Sequence, residues 1–594
     1  MKSIKPLSLM LFSLLVIVTN SRASDIIIVD NGQAKASIIL SENSSKQLSQ
    51  TATVLQQYIR KSTGALLEIR TAPGNNISIH LGISDYIKKS GINYQTLDQD
   101  AFVLQKIDES NFAIVGGSDW GTEFGVYFFL ERYLDICWLM PTDLGTDIPS
   151  KKSLIVKDTK ILQTPCYISR RLSPININAN TPFGTWGRYN MLHDRINFNH
   201  NLMNLFDPKF FGKSHPEFYP KIRGRRYIPL DSKDQKWQPD FNAPGIADAA
   251  ASVIINYFKT KPDVTSYSLG INDSENYNDS QQPLQRPSGI TNYLGFTSRS
   301  DDYFKWANEV AKKVNAVYPD KFFGALGYND VAEPPSKEVG IDPHIVTFLT
   351  YERLKWAAPD LKANDQKLTK DWQARSNLIG WYDYAYGYTY LVPRVWFSTM
   401  HDYLLWGSNN NIRYYYAELY PNWGEGPKAW VLAKLLWNPN QDIDSLLNKW
   451  YTRTAGLKAA PKLKQFYAIW EKFWTQDINN SLWNNKKSKY MPFNNLNYLR
   501  LVPQAYITMS EKLLNEAITL ADNSQRRERV TELKKMWDFY KLCIQTYQNS
   551  QLDRKGGGDV LQNSIEVTTT LNRFKDDPLF SPVVDWIKEK IFKK

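Results

Sequence analysis

The sequence predicts an α/β protein built on a (β/α)8 TIM-like barrel, with a small N-terminal α/β domain before it and a C-terminal helical region after it. Three observations carry that expectation: five apolar or aromatic runs that end on acids, helix-like segments between them, and a change to long amphipathic segments after Pro461. The runs are 268–276, which carries Asp273 and Glu275, then 322–330, 345–352, 377–383 and 412–418, which finish on Asp330, Glu352, Asp383 and Glu418. Strands buried on both faces read as continuous hydrophobic runs, and a (β/α)8 barrel gathers its chemistry at the carboxyl ends of its strands. One such acid alone is most often a helix cap or a solvated loop residue. Repetition, with helical segments at 301–317 and 393–405 between the runs, is what points to a barrel.

The chain opens with Lys2 and Lys5, an apolar run over 7–18 and Ser21-Arg-Ala23, small residues where signal peptidase prefers them. The run is too short to span a bilayer, so 1–23 reads as a secretory leader cleaved near Ala23, and the product is expected to be periplasmic or extracellular with no membrane span. Lys2, Lys5 and Arg22 would leave with it, taking the formal charge of +12 to +9. The 72 basic and 60 acidic residues are interspersed, and without a dense basic run no nucleic-acid partner is expected.

Residues 24–160 read as the N-terminal α/β domain, with strands at 25–29, 77–81, 101–107 and 113–116 and helices at 45–63 and up to 134. The glycine-rich turn 116–125 lacks the Lys-Ser/Thr ending of a phosphate loop and the spacing of a dinucleotide fingerprint, so turn packing is the better reading. The barrel is assigned to 161–455. Helical segments at 463–473, 498–520 and 524–546 fill 456–594, with Lys555-Gly-Gly-Gly558 as an interrupting loop.

Three cysteines, Cys137, Cys166 and Cys543, in 594 residues leave stability to large cores; one bridge or three free thiols both fit. With six histidines, no HExxH pattern and no cysteine pair at ligand spacing, neither a metal nor a cofactor is expected.

Aromatic residues make up 13% of the chain and crowd the acids, in 381–390, in Tyr414-Tyr-Tyr416 and in Tyr420-Pro-Asn-Trp423. Core packing accounts for many of them. Sugar rings stack their C–H faces on aromatics and need carboxylates and amides for their hydroxyls, so acid-tipped strands with aromatic walls suit a carbohydrate cleft.

A family resemblance rests on Phe198-Asn-His-Asn-Leu202, Ser214-His-Pro-Glu-Phe-Tyr219, the run from Ser268 to Asp273, Trp381-Tyr-Asp-Tyr384 with Pro393-Arg394, and Ala417-Glu-Leu-Tyr-Pro-Asn-Trp-Gly424. In their order these motifs resemble the family known as domain of unknown function 4838, some of whose members are glycoside hydrolases of family 163, endo-β-N-acetylglucosaminidases. Residues 52–67 and 120–127 resemble the small domain that precedes the barrel in α-glucuronidases and β-hexosaminidases. Many relatives follow the Asn-Asp strand with a cysteine-rich turn, where this chain has Ser274-Glu-Asn-Tyr-Asn-Asp279.

The resemblance implies a secreted glycoside hydrolase acting on a complex glycan or polysaccharide, with N-acetylhexosamine as one expected target. Such hydrolysis uses an acid to protonate the leaving oxygen and a second carboxylate as nucleophile or base. Glu275 is the expected general acid and Glu418 its partner, with Asp273 as the orienting group if a substrate acetamido group serves as nucleophile. His200, Asn201, His215, Glu217, Asn272, Tyr382, Asp383 and Trp423 are the expected substrate-binding residues. A non-catalytic glycan-binding protein and a polysaccharide lyase, with Lys, Tyr or His as base, remain the alternatives.

Overall fold

The computed structural model describes residues 25–279, 292, 294–387, 390–486, 488–550 and 558–592. The leader at 1–23 and the loop at Lys555 to Gly557 lie outside these residues, while Gly558 begins a short helix.

The described residues form two compact units, one of 25–134 with 150–163 and the other of 135–149 with 164–592. The first is an α/β unit whose six-stranded mixed sheet runs Lys160–Gln163, Phe102–Lys106, Asn111–Gly116, Ile77–Leu81, Ala36–Ile39 and Ile69–Arg70. The helix Lys46–Thr63 starts where Ser45 caps the amide of Leu48 and stops where Gly64 turns left-handed at φ 81°. The glycine-rich turn packs strand against helix, since a Cβ on Gly116 would sit 2.2 Å from the Thr122 amide.

The second unit holds the barrel. Its parallel strands are β1 (Ser169–Ser173), β2 (Ser266–Ser268), β3 (Phe322–Gly327), β4 (Ile345–Tyr351), β5 (Ile379–Asp383) and β6 (Tyr414–Glu418), hydrogen-bonded in the order β1-β6-β5-β4-β3-β2. The sheet curls, and an irregular segment joins its edges: His193 bridges Arg170 on β1, and His200 bridges Gly270 just past β2. The barrel therefore has six regular strands and one irregular wall in place of eight even repeats.

Phe198, on that wall, shows the closure. Its ring stacks on Phe348 of β4 at 3.8 Å and meets Tyr416 of β6 at 5.1 Å and Tyr382 of β5 at 5.9 Å. One ring touching three strands fills the barrel axis. The same crowding cuts β2 short of the expected run. A Cβ on Gly270 would lie 2.4 Å from the carbonyl oxygens of Phe198 and Asn199, so the chain passes there only as glycine.

Helices Ile246–Thr260, Ser300–Asn315, Pro359–Gln373 and Phe397–Asn409 follow in the unit, and helices such as Ala460–Lys472, Gln504–Leu520 and Ser524–Asn549 make up the helical C-terminal region. The helix expected from 393 begins only at Phe397, because Arg394 is held as a buried cation by its neighbours. Cys137, Cys166 and Cys543 are all free thiols. Among the described residues no helix is long and apolar enough to cross a membrane.

Candidate active site

Side chains alternate across a strand, so β6 sends Tyr416 and Glu418 inward and Tyr415 outward, while β5 sends Tyr382 inward and Asp383 outward. At the carboxyl ends of the strands the inward set surrounds a cavity of about 240 Å3. Glu418 and Tyr382 form one wall, Asp273, Tyr328 and His200 another. Thr350, Tyr384 and Tyr386 continue the lining, and the C-terminal region adds the rings of Phe493 and Trp586.

Two hydroxyls hold the carboxylates. Tyr382 donates to Glu418 Oε1 at 2.5 Å, and Tyr328 donates to Asp273 Oδ1 at 3.0 Å. Loss of water around Glu418 raises its carboxyl above the usual glutamate range; the Tyr382 hydrogen bond pulls it back down, and the nearby charge of Glu352 pushes it further up. Burial likewise pushes the phenols of Tyr328 and Tyr382 well above the ordinary tyrosine range. No lysine or arginine among the described residues lines the cavity.

Of the residues singled out from the sequence, Asp273, Glu418, His200 and Tyr382 meet here. Glu275 does not: it is exposed on the loop past β2 and its charge bears on Asp330. Asp330 is buried with Oδ2 lacking a hydrogen-bond partner, and desolvation, reinforced by Glu275, pushes its carboxyl up to about 7.

The remaining candidates serve the framework. Asp383 is fully buried, accepting from the amides of Arg353 and Tyr384 and the hydroxyl of Tyr415 at 2.8–2.9 Å. Asn272 is equally buried; it accepts from the Met203 amide and donates to the Trp237 carbonyl. Asn201 donates to the Ser268 carbonyl, tying the irregular wall to β2. His215 and Glu217 form an exposed pair at 2.9 Å, with His215 stacked on Phe218, and do not line the cavity. Trp423 is buried, and its carbonyl accepts from Tyr467.

At the barrel rim beside the cavity lies a network that the sequence did not disclose. Glu352, fully buried, pairs with Arg394 and accepts the Met491 amide at 2.5 Å. Lys489 donates to Thr350 Oγ1 at 3.0 Å, where the Tyr490 hydroxyl also meets it, and Lys355 donates to the carbonyls of Asn485 and Ser488. The C-terminal region is thereby strapped to the barrel rim beside Thr350. Tyr328 had a readable signal, since it falls two residues after Leu326 on the inward face of β3. Phe493 and Trp586 had none.

The fold and site together define a TIM-like barrel protein with two hydroxyl-held carboxylates in a tyrosine-walled cavity at its strand ends. The chain belongs to the family described as Domain of unknown function (DUF4838), whose model matches residues 140–468. No curated protein matches the sequence. Among solved structures, a family GH115 4-O-methyl-α-glucuronidase with specificity for decorated arabinogalactans is similar at 12% identity, over 95% of this chain and 79% of that one, with a TM-score of 0.59. A family 89 glycoside hydrolase from Clostridium perfringens, in complex with GlcNAc-α-1,4-galactose, is similar at 11% identity over 90% of this chain and 65% of that one, with a TM-score of 0.48. A Streptomyces plicatus β-hexosaminidase in complex with GlcNAc gives 13% identity over 74% and 92%, with a TM-score of 0.38. At these identities the first likeness shows a shared fold.

Proposed function

We propose that the protein is an exported glycoside hydrolase that cleaves a bond within a complex glycan, with N-acetylhexosamine among its expected targets. The observation that carries this reading is the pairing of a desolvated, hydrogen-bonded Glu418 with Asp273 in one aromatic cavity. A carboxyl that burial makes harder to ionise is suited to protonate a leaving oxygen, and a second carboxylate completes the pair such hydrolysis uses. Glu418 protonates the glycosidic oxygen as its bond to the anomeric carbon breaks. Asp273, held by Tyr328, either bonds to that carbon and is later displaced by water, or activates the water directly; the water proton ends on a carboxylate.

This reading gives Glu418 the acid role expected of Glu275 and puts Asp273 in place of the second carboxylate. A lyase with a tyrosine base finds less support, because burial keeps the cavity's phenols protonated. The family resemblance, the first similar structure and the tyrosine walls all support a sugar ligand.

The test is digestion of a glycan library by the purified protein, with products identified by mass spectrometry. Release of sugar by the parent and its loss in Glu418→Gln is the expected result; binding without any product would leave a glycan-binding protein. Export predicts an intact mass beginning near Ser24, and secreted protein retaining residues 1–23 would overturn it.

A further inference from the structure

A second cavity, also of about 240 Å3, has a different chemistry. It opens where β1 faces the irregular wall, and is lined by Arg171, Ser173, Asn178, Asp194, Asn197 and Asn199 among others. Register places it beside Glu418. Ser173 on β1 pairs with Glu418 on β6 and Arg171 pairs with Tyr416, so both side chains share the inward face of the catalytic strand. Asn199 immediately precedes His200, which lines the first cavity.

Tyr416 contacts a lining residue of each cavity. The Arg171 guanidinium lies 5.5 Å from its ring centroid, while the Tyr382 ring lies 4.4 Å away on the side of Glu418. Ser173 on the second cavity and Glu418 on the first are thus register neighbours on adjacent strands.

Their linings suit the two halves of one glycan. The first is aromatic, with two carboxylates. The second is rich in amides, whose donor and acceptor groups match sugar hydroxyls that also do both. Asn178 and Asn199 are exposed, and among the described residues neither side chain makes a hydrogen bond. Arg171 pairs with one Asp194 oxygen at 2.9 Å, while Asp194 Oδ1 is buried with no hydrogen-bond partner. A buried carboxylate oxygen left so is costly unless a donor reaches it, and a sugar hydroxyl is such a donor.

We propose that the amide-lined cavity is the subsite for the neighbouring sugar of the substrate, so that the protein holds at least two linked residues astride Glu418. This rests on the glycan reading above and adds to it a second binding site with its own determinants.

The experiment uses the full mature chain carrying Glu418→Gln, which binds without turnover. Calorimetry would compare N-acetylglucosamine with N,N′-diacetylchitobiose, glucose with cellobiose, and galactose with galactobiose. At least one disaccharide should bind about tenfold tighter than its own monosaccharide, and Asn178→Ala with Asn199→Ala should erase that difference while monosaccharide affinity holds. A disaccharide preference in none of the three pairs, or one that survives both substitutions, overturns the proposal. Cleavage by the parent protein is scored separately, so a failure of hydrolysis and a failure of the second subsite are told apart.

Discussion

The hydroxyl of Tyr382 donates to Oε1 of Glu418 at 2.5 Å across adjacent strands, and this bond opposes the burial that raises the Glu418 carboxyl. A donor to the ionised form lowers a pKa, so its removal raises it. Tyr382→Phe should therefore move the alkaline limb of the activity profile to higher pH, because Glu418 then keeps its proton longer. Glu418→Gln should lose on the order of 100-fold or more in kcat/KM at every pH. A pH–rate series on a substrate the parent cleaves reads both; an alkaline limb that stays put in Tyr382→Phe would remove Glu418 as the titrating acid.

Asp273 and Glu275 are two residues apart, yet only Asp273 lines the cavity. Asp273→Asn should cost on the order of 100-fold or more in kcat/KM, and Glu275→Gln no more than a few-fold. The reverse order would return the catalytic role to Glu275.

Phe493 and Trp586 face the cavity from the C-terminal region with ring centroids 6.2 Å apart. Truncating either to alanine removes apolar surface worth about 1.5–3 kcal/mol when fully covered. The expected result is KM about tenfold higher with kcat within a few-fold, since neither ring reaches the carboxyl chemistry. A fall in kcat with KM unchanged would place these rings at the reacting bond instead.

Lys489 is 3% exposed, and burial pushes its ammonium down to about 7. The unfolded chain holds that proton up to the ordinary lysine range, so between about pH 7 and 10 the unfolded state binds more protons and stability rises with pH. Lys489→Met should remove that rise, a difference on the order of 2–4 kcal/mol between pH 7 and pH 10 relative to the parent. Denaturant titrations at the two pH values measure it; parallel pH dependences in both proteins would mean that Lys489 stays charged when folded.

The barrel was legible because its signal is local and repeated: β3 to β6 are runs of apolar residues that end on polar ones, and each stands where its run stands. Strand ends were readable, but which way each acid points was not. Glu418 and Asp383 look alike in the chain, yet alternation turns one to the cavity and the other to Tyr415. The irregular wall at 193–200 left no strand-like pattern, because its residues are chosen for a bend around Phe198. Contacts such as Glu352 with Met491 join positions 139 residues apart, and no periodicity encodes them.

That last contact alters what counts as the working unit of this protein. The family match stops at residue 468, whereas the ring pair over the cavity and the peptide that grips Glu352, Lys355 and Thr350 come later in the chain. A fragment cut at the end of the match would keep both carboxylates but lose the roof above them and uncover a buried glutamate at the rim. What the cavity admits is therefore set in part by chain that lies beyond the family match.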